Sequence, residues 1–371
     1  MIGERSRYLD VLRGIAILGV ITIHVGSTVN GMLWAHSASL PGWLTQLTDF
    51  GKFGVQLFFL ISGWLLQNLY GDAANELNLK QFFARRLARI YPLWLLFLGA
   101  GFALPLLGID TGIGQLLGQV SGQTRVSGAI LILVAGLSFT LWLYAPLWNT
   151  VVPGGWSIQA EVGHYLLFPW LRRLSNAALI WFVAAVRLLS SVFGFAGGVL
   201  APTGPFRDMA AAWIRLGLYN SVLFFVAGML VSRWLANRRR PGVGECIALA
   251  VLALTVPAGP DGAWQIFLQL TFIALALWLG WAVVRSDPWS ALLARLGKYS
   301  YFMYFFHFLL LPLSQKLGER SGIAAWASGS LVLSVFLVPL VIVLVTCCSL
   351  AAGAASWRFL ESPIIRFSRR V

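Results

Sequence analysis

The chain has 371 residues, of which 58% are apolar (AVILMFWYC) and only 11% charged, against about 25% charged in a typical soluble domain. Its formal charge is +14, from 27 Lys+Arg against 13 Asp+Glu, and its mean hydropathy is +0.79. Length alone would allow two or three soluble domains, but a globule cannot hide this much apolar surface, so disorder and water-soluble folds are excluded and lipid is the solvent. An excess of basic residues that would suggest nucleic acid on a soluble protein then reads as arginines gathered on one side of a bilayer. Cys246, Cys347 and Cys348 form neither a disulfide framework nor a zinc-ligand spacing.

Apolar runs of about 20 residues are the unit of a membrane span. They fall near 9–29, 53–70, 90–108, 156–174, 177–200, 213–235, 243–260, 263–284, 299–317 and 329–356. The expected fold is an all-α integral membrane protein with about ten transmembrane helices and cytoplasmic N- and C-termini. It is expected to form one domain over residues 1–371, with no separate soluble domain. The stretch 129–147 is expected to be a short re-entrant or interfacial segment. With it left out, twenty Lys and Arg fall on the inner side and six on the outer, with Arg187 inside a span. If it spanned, every later basic loop would change sides and the asymmetry would largely cancel. The first helix has a basic start but no small-residue cleavage site after it, so it is expected to stay in the protein. No internal repeat of fixed period is present.

An ionisable group within lipid costs several kcal/mol unless it faces a polar cavity or a partner, so such groups mark candidate chemistry. In the first helix Arg13 and His24 are eleven residues apart. At about 100° per residue they share one face, separated by roughly 16 Å along the axis. A snorkelling Arg and a satisfied core His are the bland alternative. Ser62 lies mid-span beside Gly63, as a packing site or as a hydroxyl for a ligand. Arg86 and Arg89 are i,i+3 neighbours on a helix and make a fork for phosphate; an ordinary basic inner loop is the alternative. The fourth span opens with Trp156-Ser157 and carries Glu161 three residues before His164. A carboxylate that orients and charges an imidazole is acid/base equipment, and a helix-holding ion pair with Arg13 or Arg187 is the other reading. The ninth span carries Tyr301, Tyr304 and His307, a second mid-membrane histidine that either lines the same cavity or packs among aromatics. Glu361 is expected to pair with local arginines, and Pro363 to end the last helix. No spacing suits a metal, and the 38 glycines are scattered rather than gathered into a phosphate loop.

Taken in order, these segments resemble the membrane-bound acyltransferase 3 family. The family's Arg, ten residues, then His is matched by Arg13 and His24. Its Gly-Val-Asp-x-Phe-Phe-x-x-Ser-Gly-Phe is matched by Gly54 to Trp64, with Gln56 replacing the acid and Trp64 the Phe. Its arginine pair is matched by Arg86 and Arg89, and its Trp-Ser-x-x-x-Glu-x-x-x-Tyr by Trp156, Ser157, Glu161 and Tyr165. Many members have a second Glu directly after the first; here it is Val162. The Ser-Tyr-x-x-Tyr-x-x-His segment is matched by Ser300 to His307, and Glu-x-Pro-x-x-Arg by Glu361, Pro363 and Arg366.

The resemblance implies a ten-helix enzyme of the cell (inner or plasma) membrane. It would move an acyl group, by default acetyl, from cytoplasmic acyl-CoA to a hydroxyl of a surface or secreted polysaccharide or its lipid-linked precursor. Arg13, Arg86 and Arg89 would meet the CoA phosphates. His24 would act as general base or carry the acyl group transiently, with Glu161 orienting or charge-stabilising a histidine. Ser62, Ser157, Tyr304 and His307 would line or support the site. Acetyl-CoA is the co-substrate, with no metal. The partners implied are the glycan or lipid-linked oligosaccharide acceptor, the lipid bilayer and polysaccharide assembly proteins, and no nucleic acid. Some members carry an extra esterase-like domain; this sequence ends at Val371, which implies direct transfer or a separate partner. Trp34, Trp43, Trp142 and Trp148, in the expected outer segments, suit either sugar stacking or interfacial belts. Three alternatives stay open: a transporter or flippase of a lipid-linked sugar, a scaffold of a polysaccharide assembly complex, and an acyltransferase of a small glycosylated metabolite such as a macrolide.

Overall fold

The computed structural model describes residues 2–72, 75–107, 122–141, 147, 151–200, 218–237, 240–254, 262–284 and 287–368. Trp142 and Trp148 lie outside them. The described residues are helical, with no strand among them. The helices are α1 (Ile2–Trp34), α2 (Gly42–Asp49), α3 (Gly54–Tyr70), α4 (Leu79–Ala103), α5 (Gly122–Leu137), α6 (Gly155–Leu171), α7 (Asn176–Leu200), α8 (Leu218–Ala236), α9 (Val243–Leu254), α10 (Gly262–Val283), α11 (Asp287–Arg320), α12 (Ile323–Ser328), α13 (Leu331–Ser356) and α14 (Ser362–Ser368). Among the described residues, four stretches are long and apolar enough to cross a membrane: Arg7–Trp34, Gly42–Tyr70, Leu79–Leu106 and Leu331–Ser368. Further apolar helices, Asn176–Val192, Ser221–Ala236 and Phe267–Val283 among them, are shorter within the described residues.

The chain divides into two compact units. The first comprises Met1–Phe58 and Phe267–Phe359. At its centre α1 packs along α11. A methyl group added at Gly14 would collide with the Leu293 carbonyl, and one at Gly297 with the Asp10 carbonyl. The two backbones therefore touch where side chains are absent, as small residues allow between membrane helices. Leu12, Ile17, Val20 and Ile21 of α1 are fully buried, as is Met303 of α11. The same register places the Cβ of Arg13 3.1 Å from where a Gly297 side chain would begin.

The second unit comprises Phe59–Ile266 and Leu360–Val371. Gly63 of α3 and Gly228 of α8 repeat the device. A methyl group at the first would strike the Phe225 carbonyl, and at the second the Leu60 carbonyl. Asn78 caps α4, its Oδ1 accepting the Gln81 N–H at 3.0 Å. Arginines fasten the other ends. Arg172, only 3% exposed, donates to the carbonyls of Asp72 and Asn75. Arg233 donates to the carbonyls of Leu174 (2.7 Å) and Arg172 (3.0 Å) and to Asn176 Oδ1 (3.2 Å). The Arg233 guanidinium satisfies carbonyls around the end of α6, and that of Arg172 satisfies carbonyls of the loop after α3.

Two boundaries differ from expectation. Among the described residues of 129–147 the helix, α5, begins earlier, at Gly122, and stops at Leu137. Phe139 turns to a φ of 56°, and Thr140 N–H bonds back to the Ala135 carbonyl at 2.8 Å, a left-handed stop that breaks the helix. Trp94 Nε1 (2.8 Å, to Gly136) and the Tyr91 hydroxyl (3.0 Å, to Leu137) take two of the freed carbonyls. Pro363 does not end the last helix. A π turn over Trp357–Glu361 comes first, and Pro363 then sits in the first turn of α14, where its missing N–H costs nothing. Glu361, in that turn, is 5% exposed.

The glycine contacts are testable by size. Gly297→Val should destabilise the protein by about 1–3 kcal/mol or more, read as a lower thermal midpoint in detergent. Gly31→Ala, where nothing lies within 4 Å, should leave the midpoint unchanged.

Candidate active site

In the first unit the chemistry sits on α1 and α11. His24 Nδ1 lies 2.7 Å from the Val20 carbonyl, one turn back. A carbonyl only accepts, so in the neutral imidazole Nδ1 holds the proton and Nε2 keeps the lone pair. The His24 ring packs against Phe308 (centroids 4.6 Å, edge-on) and against His307 (5.2 Å, tilted 51°). His307 repeats the arrangement. It is fully buried, its Nδ1 lies 3.0 Å from the Met303 carbonyl, and its Nε2 has no partner among the described residues. The Tyr304 ring lies 6.1 Å from it. The structure thus brings together His24, His307 and Tyr304. Arg13, on the same helix as His24, is ion-paired with Asp10 at 2.9 Å and is 13% exposed at its side chain. Its charge is balanced within its own helix by an i,i+3 partner.

In the second unit the helix that begins after Gly154 (φ 74°) carries Glu161. Ser157 Oγ, buried in the first turn, donates to the Gly154 carbonyl at 3.0 Å and so helps close that turn. One oxygen of Glu161, Oε1, accepts twice: from Ser62 Oγ at 3.0 Å and from the Tyr165 hydroxyl at 2.5 Å. The other, Oε2, accepts no hydrogen bond among the described residues. Tyr165 is 5% exposed, and the Arg86 guanidinium lies 5.9 Å from its ring centroid and 5.6 Å from that of Tyr70. Arg86 also donates to the Tyr70 hydroxyl at 3.4 Å, while its buried Nε–H has no acceptor among the described residues. Arg89 lies three residues on along the same helix, α4. Ser62, Glu161, Tyr165, Arg86 and Tyr70 therefore form one continuous chain of contacts.

The i,i+3 pairing of Glu161 with His164 does not occur. His164 is fully buried, stacks on Phe225 (4.5 Å, 11°) and meets Ser221 Oγ through Nε2 at 3.1 Å. Its i,i+4 neighbour Tyr165, not His164, takes the carboxylate. Arg187 is likewise no partner of that carboxylate, since its NH1 donates to the Leu252 carbonyl at 2.7 Å. Sequence reading placed Tyr165 only in the motif that Glu161 shares, without a role, and missed Tyr70. The spacing of Glu161 and Tyr165 on one helix face carried the signal for the first; nothing local marked the second.

Ser221→Ala should cost about 1–3 kcal/mol, because it leaves His164 Nε2 buried without that partner. Chemical or thermal unfolding of the purified protein in detergent checks this.

The chain matches the family described as "Acyltransferase domain" over residues 6–353. It is 28% identical, over 98% of its own length and 92% of the relative's, to the acyltransferase MdmB of Streptomyces mycarofaciens. It is 25% identical, over 84% of its length and 86% of the relative's, to a protein of Acidianus two-tailed virus provisionally named an acetyltransferase. A protein of Staphylococcus aureus (strain COL), provisionally named an O-acetyltransferase, is 24% identical over 97% of this chain, which spans 58% of that longer relative. No solved structure matches. With a match of this extent and apolar helices able to cross a membrane, the chain belongs to the acyltransferase 3 family.

Proposed function

We propose that this protein is a multi-pass O-acyltransferase of the cell (inner or plasma) membrane. It moves an acyl group, by default acetyl, from cytoplasmic acyl-CoA to a hydroxyl of a surface or secreted polysaccharide or its lipid-linked precursor. The topology that fits is about ten spans with both termini cytoplasmic, which keeps the basic residues on the inner side. The observation that carries the reading is the commitment of His24 Nδ1 to the Val20 carbonyl. It leaves a lone pair at Nε2 on a histidine held in an apolar helix, the form in which imidazole works as a base or nucleophile.

The residues fit a two-substrate transfer. As base, His24 Nε2 takes the acceptor's hydroxyl proton while the oxygen forms a bond to the acyl carbon. The carbon–sulfur bond breaks, and the proton passes to the departing thiolate. As nucleophile, the same nitrogen bonds the acyl carbon while the carbon–sulfur bond breaks and the thiolate leaves; the acceptor hydroxyl then attacks that carbon, the carbon–nitrogen bond breaks, and the hydroxyl proton passes to the thiolate. Arg86, with an unpaired Nε–H edge, and Arg89 suit the phosphates of the donor. Arg13, held by Asp10, would offer guanidinium N–H groups to the donor from the helix that carries His24. Glu161, anchored through Oε1, offers Oε2 to a substrate donor or to developing positive charge. The names of the relatives support acyl and acetyl transfer. The choice of a polysaccharide acceptor rests on the family resemblance.

His24→Ala should abolish transfer of label from [14C]acetyl-CoA to extracted surface polysaccharide, leaving CoA affinity within about twofold. Loss of CoA affinity with no transfer even in the wild type would favour a carrier of lipid-linked sugar instead. Replacing Arg86 and Arg89 together should weaken CoA binding about 10- to 100-fold, two charge-assisted contacts being lost. Dephosphorylated pantetheine analogues should be affected much less. Equal losses for both ligands would assign the pair to topology.

A further inference from the structure

Tyr165 has two ends that do different things. Its hydroxyl meets Glu161 Oε1 at 2.5 Å, within the range of O–H···O⁻ hydrogen bonds to a charged acceptor. Its ring lies under the Arg86 guanidinium, 5.9 Å from centroid to Cζ, at the separation of a cation–π contact. Tyr70 supplies a second ring at 5.6 Å and a hydroxyl 3.4 Å from the same guanidinium. Yet Tyr70 makes no hydrogen bond with Glu161 among the described residues. Arg86 makes no ion pair among the described residues: aromatic faces and a phenol hold it, and its Nε–H is left without an acceptor. Faces orient a guanidinium without consuming the in-plane N–H groups that a phosphate would take.

We infer that Tyr165 is a positioning residue that joins two functions, holding the donor-binding guanidinium of Arg86 with its ring and the Glu161 carboxylate with its hydroxyl, whereas Tyr70 serves the guanidinium alone. This rests on the reading of the protein as an acyl-CoA-dependent transferase. The arrangement is specific because both rings face Arg86 while the hydroxyls go to different partners, Glu161 Oε1 for Tyr165 and the Arg86 guanidinium for Tyr70. Removing the Tyr165 hydroxyl releases Oε1 to Ser62 alone and frees the carboxylate to turn, while the ring under Arg86 stays. Removing the Tyr70 ring loosens Arg86 and leaves the carboxylate as it was.

The test is a crossed pair of variants in the full-length protein in detergent. CoA is titrated calorimetrically, and transfer is followed from [14C]acetyl-CoA to extracted surface polysaccharide. Tyr165→Phe should keep CoA affinity within about twofold and lower kcat about 10- to 100-fold, the loss of one hydrogen bond to a charged group. Tyr70→Leu should raise the CoA dissociation constant about 3- to 30-fold, the scale of a cation–π contact, with kcat at saturating donor unchanged. Tyr165→Leu should show both losses. A purely structural tyrosine would lower thermal stability without this crossing of affinity and rate. If the wild type binds CoA and transfers label, but Tyr165→Phe turns over at the wild-type rate or Tyr70→Leu loses kcat instead of affinity, the joint role is overturned. If the wild type neither binds CoA nor transfers label, the donor reading itself falls. Since Tyr165→Phe and Tyr70→Leu decide the matter without Tyr165→Leu, a poorly folding Leu variant leaves the test intact.

Discussion

Backbone contact between α1 and α11 is the constraint on which the first unit depends. Lipid offers no hydrophobic drive for helices to pair, so close van der Waals packing has to do it. Gly14 and Gly297 let each helix rest on a carbonyl of the other. A contact made by backbone leaves little freedom to slide or rotate, because a shift of one residue would bring a side chain into the gap. The register so fixed carries along both helices. At one end it sets Arg13 beside Gly297; farther along it lays the rings of His24 and His307 against each other. His307, which gives Nδ1 to its own helix and keeps an unpartnered Nε2 among the described residues, is a costly thing to bury, while His24 beside it is only half-buried. Rigid packing of this kind can hold such an arrangement, and acyl transfer is a use for it.

The second unit solves a different problem, the control of a carboxylate and a guanidinium that do not touch. Glu161 and Arg86 are not a salt bridge; a tyrosine stands between them. A direct pair would neutralise both groups and occupy the atoms that the proposed substrates would meet. Placing an aromatic ring between them fixes each while leaving Oε2 on one and the Nε edge on the other.

What the sequence made legible follows from the cost of charge in an apolar segment. His24, Glu161, Arg86 and His307 stood out because each needs a reason to be where it is, and each sits within a helix that the apolar runs had located. Helix contacts were less legible. That Glu161 would choose Tyr165 over His164 depends on rotation about α6, which sets His164 against Phe225 and Ser221; both spacings look acceptable on paper. Tyr70 was invisible because its partner comes from the next helix, and a tyrosine near the end of an apolar run is unremarkable in composition. The end of α5 was misjudged because Ser-Phe-Thr carries no Gly or Pro to announce a stop, and the left-handed turn falls on Phe139. Pro363 misled in the opposite sense, since a proline that looks like a terminator is harmless after a π turn.

The arginines around the end of α6 carry a double burden. By charge, Arg172 and Arg233 would count, in the proposed topology, among the basic residues that keep one flank of the bilayer. By hydrogen bonding, the same two side chains lash the loop after α3 and the start of α7 to the tip of α6. Orientation and fastening are thus written in the same atoms. Lysine in either place would preserve the vectorial cue yet lack the forked donors that reach several carbonyls at once. Biogenesis would then run in the proper direction and deliver a protein whose seams were left unsewn.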